Sequence, residues 1–449
     1  MENKTGLIDV SYKGILKVAL PISLSTFVQF IVVFTDNLML SRVSENALNA
    51  AGNAGLLYLG ISMAGVGFSS GVQILIARRY AEHDHEKVGS SLANSIWLAA
   101  GIGIAIFALM QFIQVFMLEY IIADQTLLGA MHSFMDVRNY GLLIYPITLT
   151  LMGFHSGIAR TSVLLLVAVS IGLVNLIGDY ILIFGKFGFE AMNEKGAAMA
   201  SFGAEIVGLI ILLIHISIAK HLKPLNFWNR IWNFPFADTA KIMRLSLPLI
   251  GQQFLAVTTW TTFYFMVEKM GQKELMVSHV TRAVYFLAFI TIFGISQTTR
   301  TYISALIAES RQHELIPVMK KMIIINLAGV FLLSHGMVFY PETLAAIFSQ
   351  DQYTIELTAN VLRVISGATI VFSFTSVFLY TVEGSGLTRQ ALYIELSAII
   401  IYLITSYLSI FKYPQPIHIV WANDYVYFML IGLLSLIVLY KYNWKYKQV

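Results

Sequence analysis

Cysteine is missing from all 449 positions, and charge is scarce, with Asp, Glu, Lys and Arg together making up 12% of the chain. The first absence excludes disulfide frameworks and thiolate metal sites. The second excludes an ordinary soluble domain, which carries about 25% charged residues. Neither sign of charge dominates, since 29 basic residues stand against 25 acidic ones. That balance is too slight to suggest a nucleic-acid partner. The opening stretch MENKTGLIDVSYKGILKVALP lacks a short apolar core followed by a small-residue cleavage site. Its first apolar segment is therefore expected to remain as a membrane span rather than to be removed.

What fills the sequence instead is apolar: 57% of the residues are hydrophobic, and the mean hydropathy is +0.73. A transmembrane helix needs roughly 20 mostly apolar residues. Twelve such stretches occur, near 14–40, 47–77, 90–118, 132–155, 160–185, 196–219, 245–268, 278–306, 317–340, 354–380, 388–411 and 419–441. They are too long for barrel strands and show no sustained alternation, so helices are the remaining way to satisfy the backbone in lipid. The fold class read from this is an all-α integral membrane protein with twelve transmembrane helices. An even number of spans puts both termini on one side. With cytoplasmic termini the inner segments hold 19 of the 29 basic residues and the outer loops 8, while Arg282 and Arg300 lie within spans. That excess marks the termini as cytoplasmic in a multi-pass plasma (inner) membrane protein.

The longest polar connection, AKHLKPLNFWNRIWNFPFADTAK at 219–241, divides the chain into an N-lobe at 1–218 and a C-lobe at 242–449. Sliding the sequence by 227 residues aligns Leu20-Pro21 with Leu247-Pro248 and Ala81-Glu82 with Ala308-Glu309. The same shift pairs Gly157 with Gly384 and Thr161 with Thr388, and lays DYILIF over SYLSIF. One constant offset across five helices is an internal repeat. Six spans per repeat leave the two lobes in the same orientation, related by a pseudo-twofold axis along the membrane normal. Two-lobed transporters share that arrangement.

Polar residues break the symmetry. At the shared offset Asp36 faces Phe263, Asn175 faces Tyr402, Asp179 faces Ser406 and Ser201 faces Phe428. The oxygen ligands thus belong to the N-lobe alone. At 3.6 residues per turn, Asn175 and Asp179 share one face of the fifth span, and Ser201 and Glu205 share one face of the sixth. An Asp at the centre of a membrane helix costs roughly 3 kcal/mol on insertion scales. A bound proton, a bound cation or a basic partner would offset it. In the outer halves of spans one, five and six the only basic residues are Arg42, Lys186 and Lys195 at the rims, which favours the first two. Two neighbouring carboxylates disfavour joint ionisation, making protonation a switch. Oxygen-only ligands suit a hard ion such as Na+, and the cluster lacks the His and Cys of a transition-metal site. Glu205 either extends the cluster or caps a loop.

These residues carry a family resemblance. LPISLSTFVQFIVVFTDNLML, with Pro21 fifteen residues before Asp36, resembles the first helix of multidrug and toxic compound extrusion (MATE) transporters. NLIGDYILIFGKFGF resembles their fifth helix and KGAAMAS the start of their sixth, and the likeness extends to RLSLPLIGQQF and EGSGLTR in the second half. The resemblance implies a twelve-helix antiporter that expels amphipathic, often cationic, organic compounds in exchange for H+ or Na+, with no cofactor. It implies that Asp36, Asn175, Asp179 and Ser201 line an N-lobe cation site and that Pro21 permits a bend in helix 1. Some relatives carry an acidic residue in the middle of helix 7, whereas here that region reads QQFLAVTTWTTFYF. On physical grounds Pro21 removes a backbone hydrogen bond, which gives either a hinge or a static kink.

Arg300 lies inside the eighth span, with Glu383 and Glu395 at similar depth on the tenth and eleventh. An ion pair locking the C-lobe accounts for all three, and a substrate-binding role is the other reading. The expected partners are small-molecule substrates and the bilayer, with the chain acting as a monomer. The leading expectation is a secondary active multidrug antiporter. A lipid-linked oligosaccharide or polysaccharide flippase is the alternative, although anionic cargo calls for several basic residues facing a cavity. No nucleophile–base set, HExxH motif or phosphate loop accompanies the carboxylates, which argues against an enzyme.

Overall fold

The computed structural model describes residues 8–233 and 236–447. Residues 1–7, 448–449 and positions 234–235 of the expected inter-lobe connection lie outside the described residues. Within them the secondary structure is helical, with no strand. The long helices are α1 Tyr12–Ser41, α2 Glu45–Ala81, α3 His85–Phe116, α4 Gln125–Arg138, α5 Gly141–Gly157, α6 Ser162–Phe184 and α7 Asn193–Ile218. The second half supplies α8 Thr239–Glu268, α9 Gln272–Ala308, α10 Leu315–Ser334, α11 Gln352–Gly384, α12 Thr388–Tyr407 and α13 Asn423–Lys441.

Helix ends follow from short polar side chains that satisfy exposed backbone N–H groups. Ser44 Oγ accepts from Ala47 N ahead of α2, Asp84 from Lys87 N ahead of α3, and Asp351 from Thr354 N ahead of α11. The α6 helix stops at Gly185, whose φ of 63° is the left-handed conformation that suits glycine.

Among the described residues, ten helical segments are long and apolar enough to cross a membrane. The expected twelve spans differ at two places. The fourth is split into α4 and α5 around Asn139-Tyr140, where the Asn139 side chain donates to Gln114 Oε1 at 2.6 Å. The seventh is a single 30-residue helix, α8, that carries many polar side chains, among them Gln252, Gln253, Thr258, Thr259, Thr261 and Thr262.

The described chain gathers into two compact units, 24–250 and 8–23 with 251–447. The first contains α2–α7, the later part of α1 and the opening of α8. Its core includes Leu40, Ala50, Ala54, Met110, Met131, Met135, Leu142, Ile183 and Ala198, all nearly or fully buried. Small residues bring its helices close: a Cβ at Gly67 would lie 2.5 Å from Ile250 Cα. The bidentate pair of Arg79 with Asp238, at 2.5 and 2.7 Å, fixes the segment that leads into α8.

The second unit contains α9–α13, the later part of α8 and the opening of α1. Here three side chains hold the strand of chain before α1. Tyr302 donates to Asp9 O at 3.0 Å, Arg311 to Ile8 O at 3.2 Å and Lys321 to Val10 O at 2.8 Å. Gly294 of α9 approaches Ala19 and Ser23 of α1 so closely that a Cβ there would meet Ala19 O at 2.9 Å. Pro21 lies inside an unbroken α1, as Pro248 lies inside α8.

Candidate functional site

Asn175 is one turn before Asp179 on α6, and both side chains are buried, at 1% and 0% exposure. Asp36 reaches them from α1. The Asn175 amide donates to Asp36 Oδ1 at 2.6 Å and to Asp179 Oδ2 at 2.7 Å, so one nitrogen bridges the two carboxylates. The remaining Asp179 oxygen, Oδ1, is buried and accepts no hydrogen bond. Ser201, half-buried on α7, and Asp179 are both near enough to Asp36 to act on its carboxyl. Close packing of α6 on α7 sets this meeting. Gly178 lies so near Ala200 that an added Cβ would come within 2.9 Å of the alanine Cβ. The four residues expected to share a site are therefore brought together.

Glu205 belongs to an adjoining arrangement of its own. Arg138, the last residue of α4, donates from Nη2 to Glu205 Oε1 at 2.6 Å, and its guanidinium lies 3.8 Å over the Tyr58 ring. Gly141 leaves room for this pair, since a Cβ would lie 2.5 Å from both Arg138 Nη1 and Glu205 Oε2 and one of them would have to shift. This corrects the expectation that basic residues approach the cluster only from Arg42, Lys186 and Lys195. Arg138 comes from the preceding span and is near enough to act electrostatically on Asp36 as well. The sequence signal is the isolated Arg in MDVRNYG, near the start of the stretch 132–155.

In the second unit Arg300 Nε is 2.6 Å from Glu383 Oε2, and Gln252 donates to the other Glu383 oxygen at 3.1 Å. Arg300 also lies 4.7 Å from the centre of the Tyr380 ring. Glu395 does not pair with Arg300 but accepts from the Tyr427 hydroxyl. Buried pairs of this kind are costly to break because one charge would be left alone.

Chemically, the first cluster offers carboxylate, amide and hydroxyl oxygens within one buried site. Two acids sharing one donor cannot both be ionised cheaply.

A bundle of long apolar helices defines a multi-span membrane protein by class, and comparison with known proteins supplies the family. The MatE family model matches residues 21–181 and 248–408, and the chain belongs to that family. The two matches begin 227 residues apart, at the two prolines. A probable multidrug resistance protein NorM from Synechocystis sp. is 22% identical over 335 residues, covering 74% of this chain and 72% of its own. The namesake from Agrobacterium fabrum is 23% identical, covering 64% and 61%. That from Thermotoga maritima is 23% identical over 391 residues, covering 86% and 83%. Among solved structures, an outward-facing multidrug resistance MATE family transporter superposes with a TM-score of 0.87 at 17% identity, covering 97% of each chain. The chain thus has the twelve-helix MATE fold and is a multi-span membrane transporter.

Proposed function

We propose that this transporter is a multidrug efflux antiporter that exports amphipathic or cationic organic compounds in exchange for H+ or Na+. The observation that carries the reading is the bridge from Asn175 to both Asp36 and Asp179 inside a buried cluster. Loading one cation removes the repulsion between the two acids and gives Asp179 Oδ1 a partner. Because Asp36 is on α1, occupancy changes what holds that helix against α6. Only a cation bound unequally by two conformations drives exchange. The multidrug names of the relatives support the substrate class. Lipid-linked diphosphates fit less well, since the charge of Arg300 is met by Glu383. The site serves a protein of the inner membrane with cytoplasmic termini.

The test is dye efflux from vesicles holding the reconstituted protein, under imposed Na+ or pH gradients. Asp36→Asn and Asp179→Asn are expected to abolish gradient-driven efflux while leaving assembly intact. Unchanged efflux in both variants rejects the mechanism. Transport of a labelled lipid without transport of cationic dyes favours the flippase instead.

A further inference from the structure

The second half carries a carboxylate that the proposed exchange does not use. Asp424, in the first turn of α13, is 4% exposed, and its Oδ2 is buried without a hydrogen-bond partner. The same holds for two hydroxyls of this unit, Tyr285 Oη at 2% exposure and Ser406 Oγ at 0%. Tyr402 and Tyr285 are the polar neighbours of the Asp424 carboxyl, and Tyr402 in turn reaches Ser406.

The repeat gives this cluster its meaning. Under the 227-residue shift Tyr402 stands where Asn175 stands and Ser406 where Asp179 stands. The acid lost from α12 is replaced by one on α13, the helix packed beside it. The surroundings are aromatic. Trp421 donates to Ser278 Oγ at 3.0 Å and packs edge-on against Phe263 at 5.3 Å.

What faces Asp424 carries no positive charge to pair with it. From α8 comes Tyr264, whose ring centre lies 5.1 Å from Arg282 of α9 and which stacks with His279 of α9 at 5.1 Å. From α12 come Tyr402 and, deeper, Glu395, which is taken by Tyr427. The α11 face against α13 presents Gly367, Phe372 and Thr375. The turn before α13 adds half-buried His418. Among the described residues Asp424 forms no ion pair. An anion in such a place would have two tyrosine hydroxyls beside it but no countercharge. A hard metal ion needs six or more oxygens, and the flanking helix carbonyls are committed to their own ladders. A proton on Oδ2 cancels the charge and turns a lone acceptor into a donor beside hydroxyl oxygens.

We propose that Asp424 is a second proton-binding site, built into the second half from the helix neighbouring the one that holds the acid in the first. It is independent of the Asp36 cluster, sharing no residue with it.

Infrared difference spectroscopy on the reconstituted full chain tests this. The wild-type minus Asp424→Asn spectrum at neutral pH is expected to show loss of one protonated-carboxyl stretch, in the Asp36→Asn background as well. Tyr285→Phe is expected to shift that band without removing it, which keeps the test decisive if Asp424→Asn assembles poorly. A difference spectrum showing only ionised-carboxylate bands overturns the proposal. So does a band that appears or disappears with Na+ at constant pH. Loss of the band with efflux abolished only by Asp36→Asn supports the second site while leaving the first reading intact.

Discussion

At the scale of single residues, Asn175 has one amide nitrogen, and both neighbouring acids accept from it. Asn175→Ala keeps both carboxyls but removes their common donor, leaving buried acceptors unsatisfied at about 1–3 kcal/mol. Gradient-driven efflux should fall without vanishing, unlike the loss expected for the acid variants, and a dose–response against the coupling cation checks the difference. Glu205 makes a second residue-level argument. Its pair with Arg138 leaves the two side chains 12% and 15% exposed. Removing one partner, as in Glu205→Ala, should destabilise by about 3–5 kcal/mol, whereas Arg138→Met with Glu205→Leu together should recover most of the loss. Thermal unfolding in detergent measures both. Equal destabilisation by the single and double variants would show that the pair's charge is not what matters. That Asp36, Asn175, Asp179 and Ser201 come together was legible in the sequence because each polar side chain interrupts an apolar run and has no counterpart of its kind in the repeat. Arg138 was not legible as a partner. An arginine near a span end reads as solvated, and only the break between α4 and α5 turns it inward.

At the scale of helices, the contacts that matter are close crossings between backbones. Gly67 of α2 meets the backbone of Leu249 and Ile250 in α8, and Gly294 of α9 meets Ser23 and Ala19 in α1. These are the same crossing in each repeat, since both pairs differ by 227 residues. They are not equally strict. The nearest atoms to a Cβ at Gly67 are all backbone, while at Gly294 the nearest is the Ser23 hydroxyl. Gly67→Ala should therefore lower the unfolding temperature more than Gly294→Ala, with a cost of about 1–3 kcal/mol for forcing extra volume into packed helices. Paired thermal-shift measurements decide the order, and a larger loss at Gly294 would contradict it. The sequence does not say which helix the glycines of α2 meet. Apolar periodicity reports which segments are helical and leaves their partners open. The split fourth span was hidden for a related reason: Asp136, Arg138 and Asn139 mark a polar patch within 132–155 but do not say that the helix breaks there.

At the scale of the whole molecule, the repeat explains how the units are assembled from the chain. Each unit takes most of its helices from one half of the sequence and one opening segment from the other. Residues 8–23 belong with 251–447, and the opening of α8 belongs with 24–250. Both changes of unit fall two residues beyond a proline, Pro21 or Pro248. Proline in a membrane helix loosens the backbone ladder where the helix must serve two neighbours. An unbroken chain between the halves should then be dispensable, because the exchanged segments already tie each unit to the other half of the sequence. Cutting the chain between Trp232 and Phe236 and expressing the fragments together should give a complex that copurifies at the size of the intact protein. Adding Arg79→Ala should reduce its yield several-fold, since the Asp238 pair that holds the incoming segment is lost. Fragments that elute separately, each folded alone, would mean that the exchanged segments are incidental and that the two sequence halves are self-sufficient.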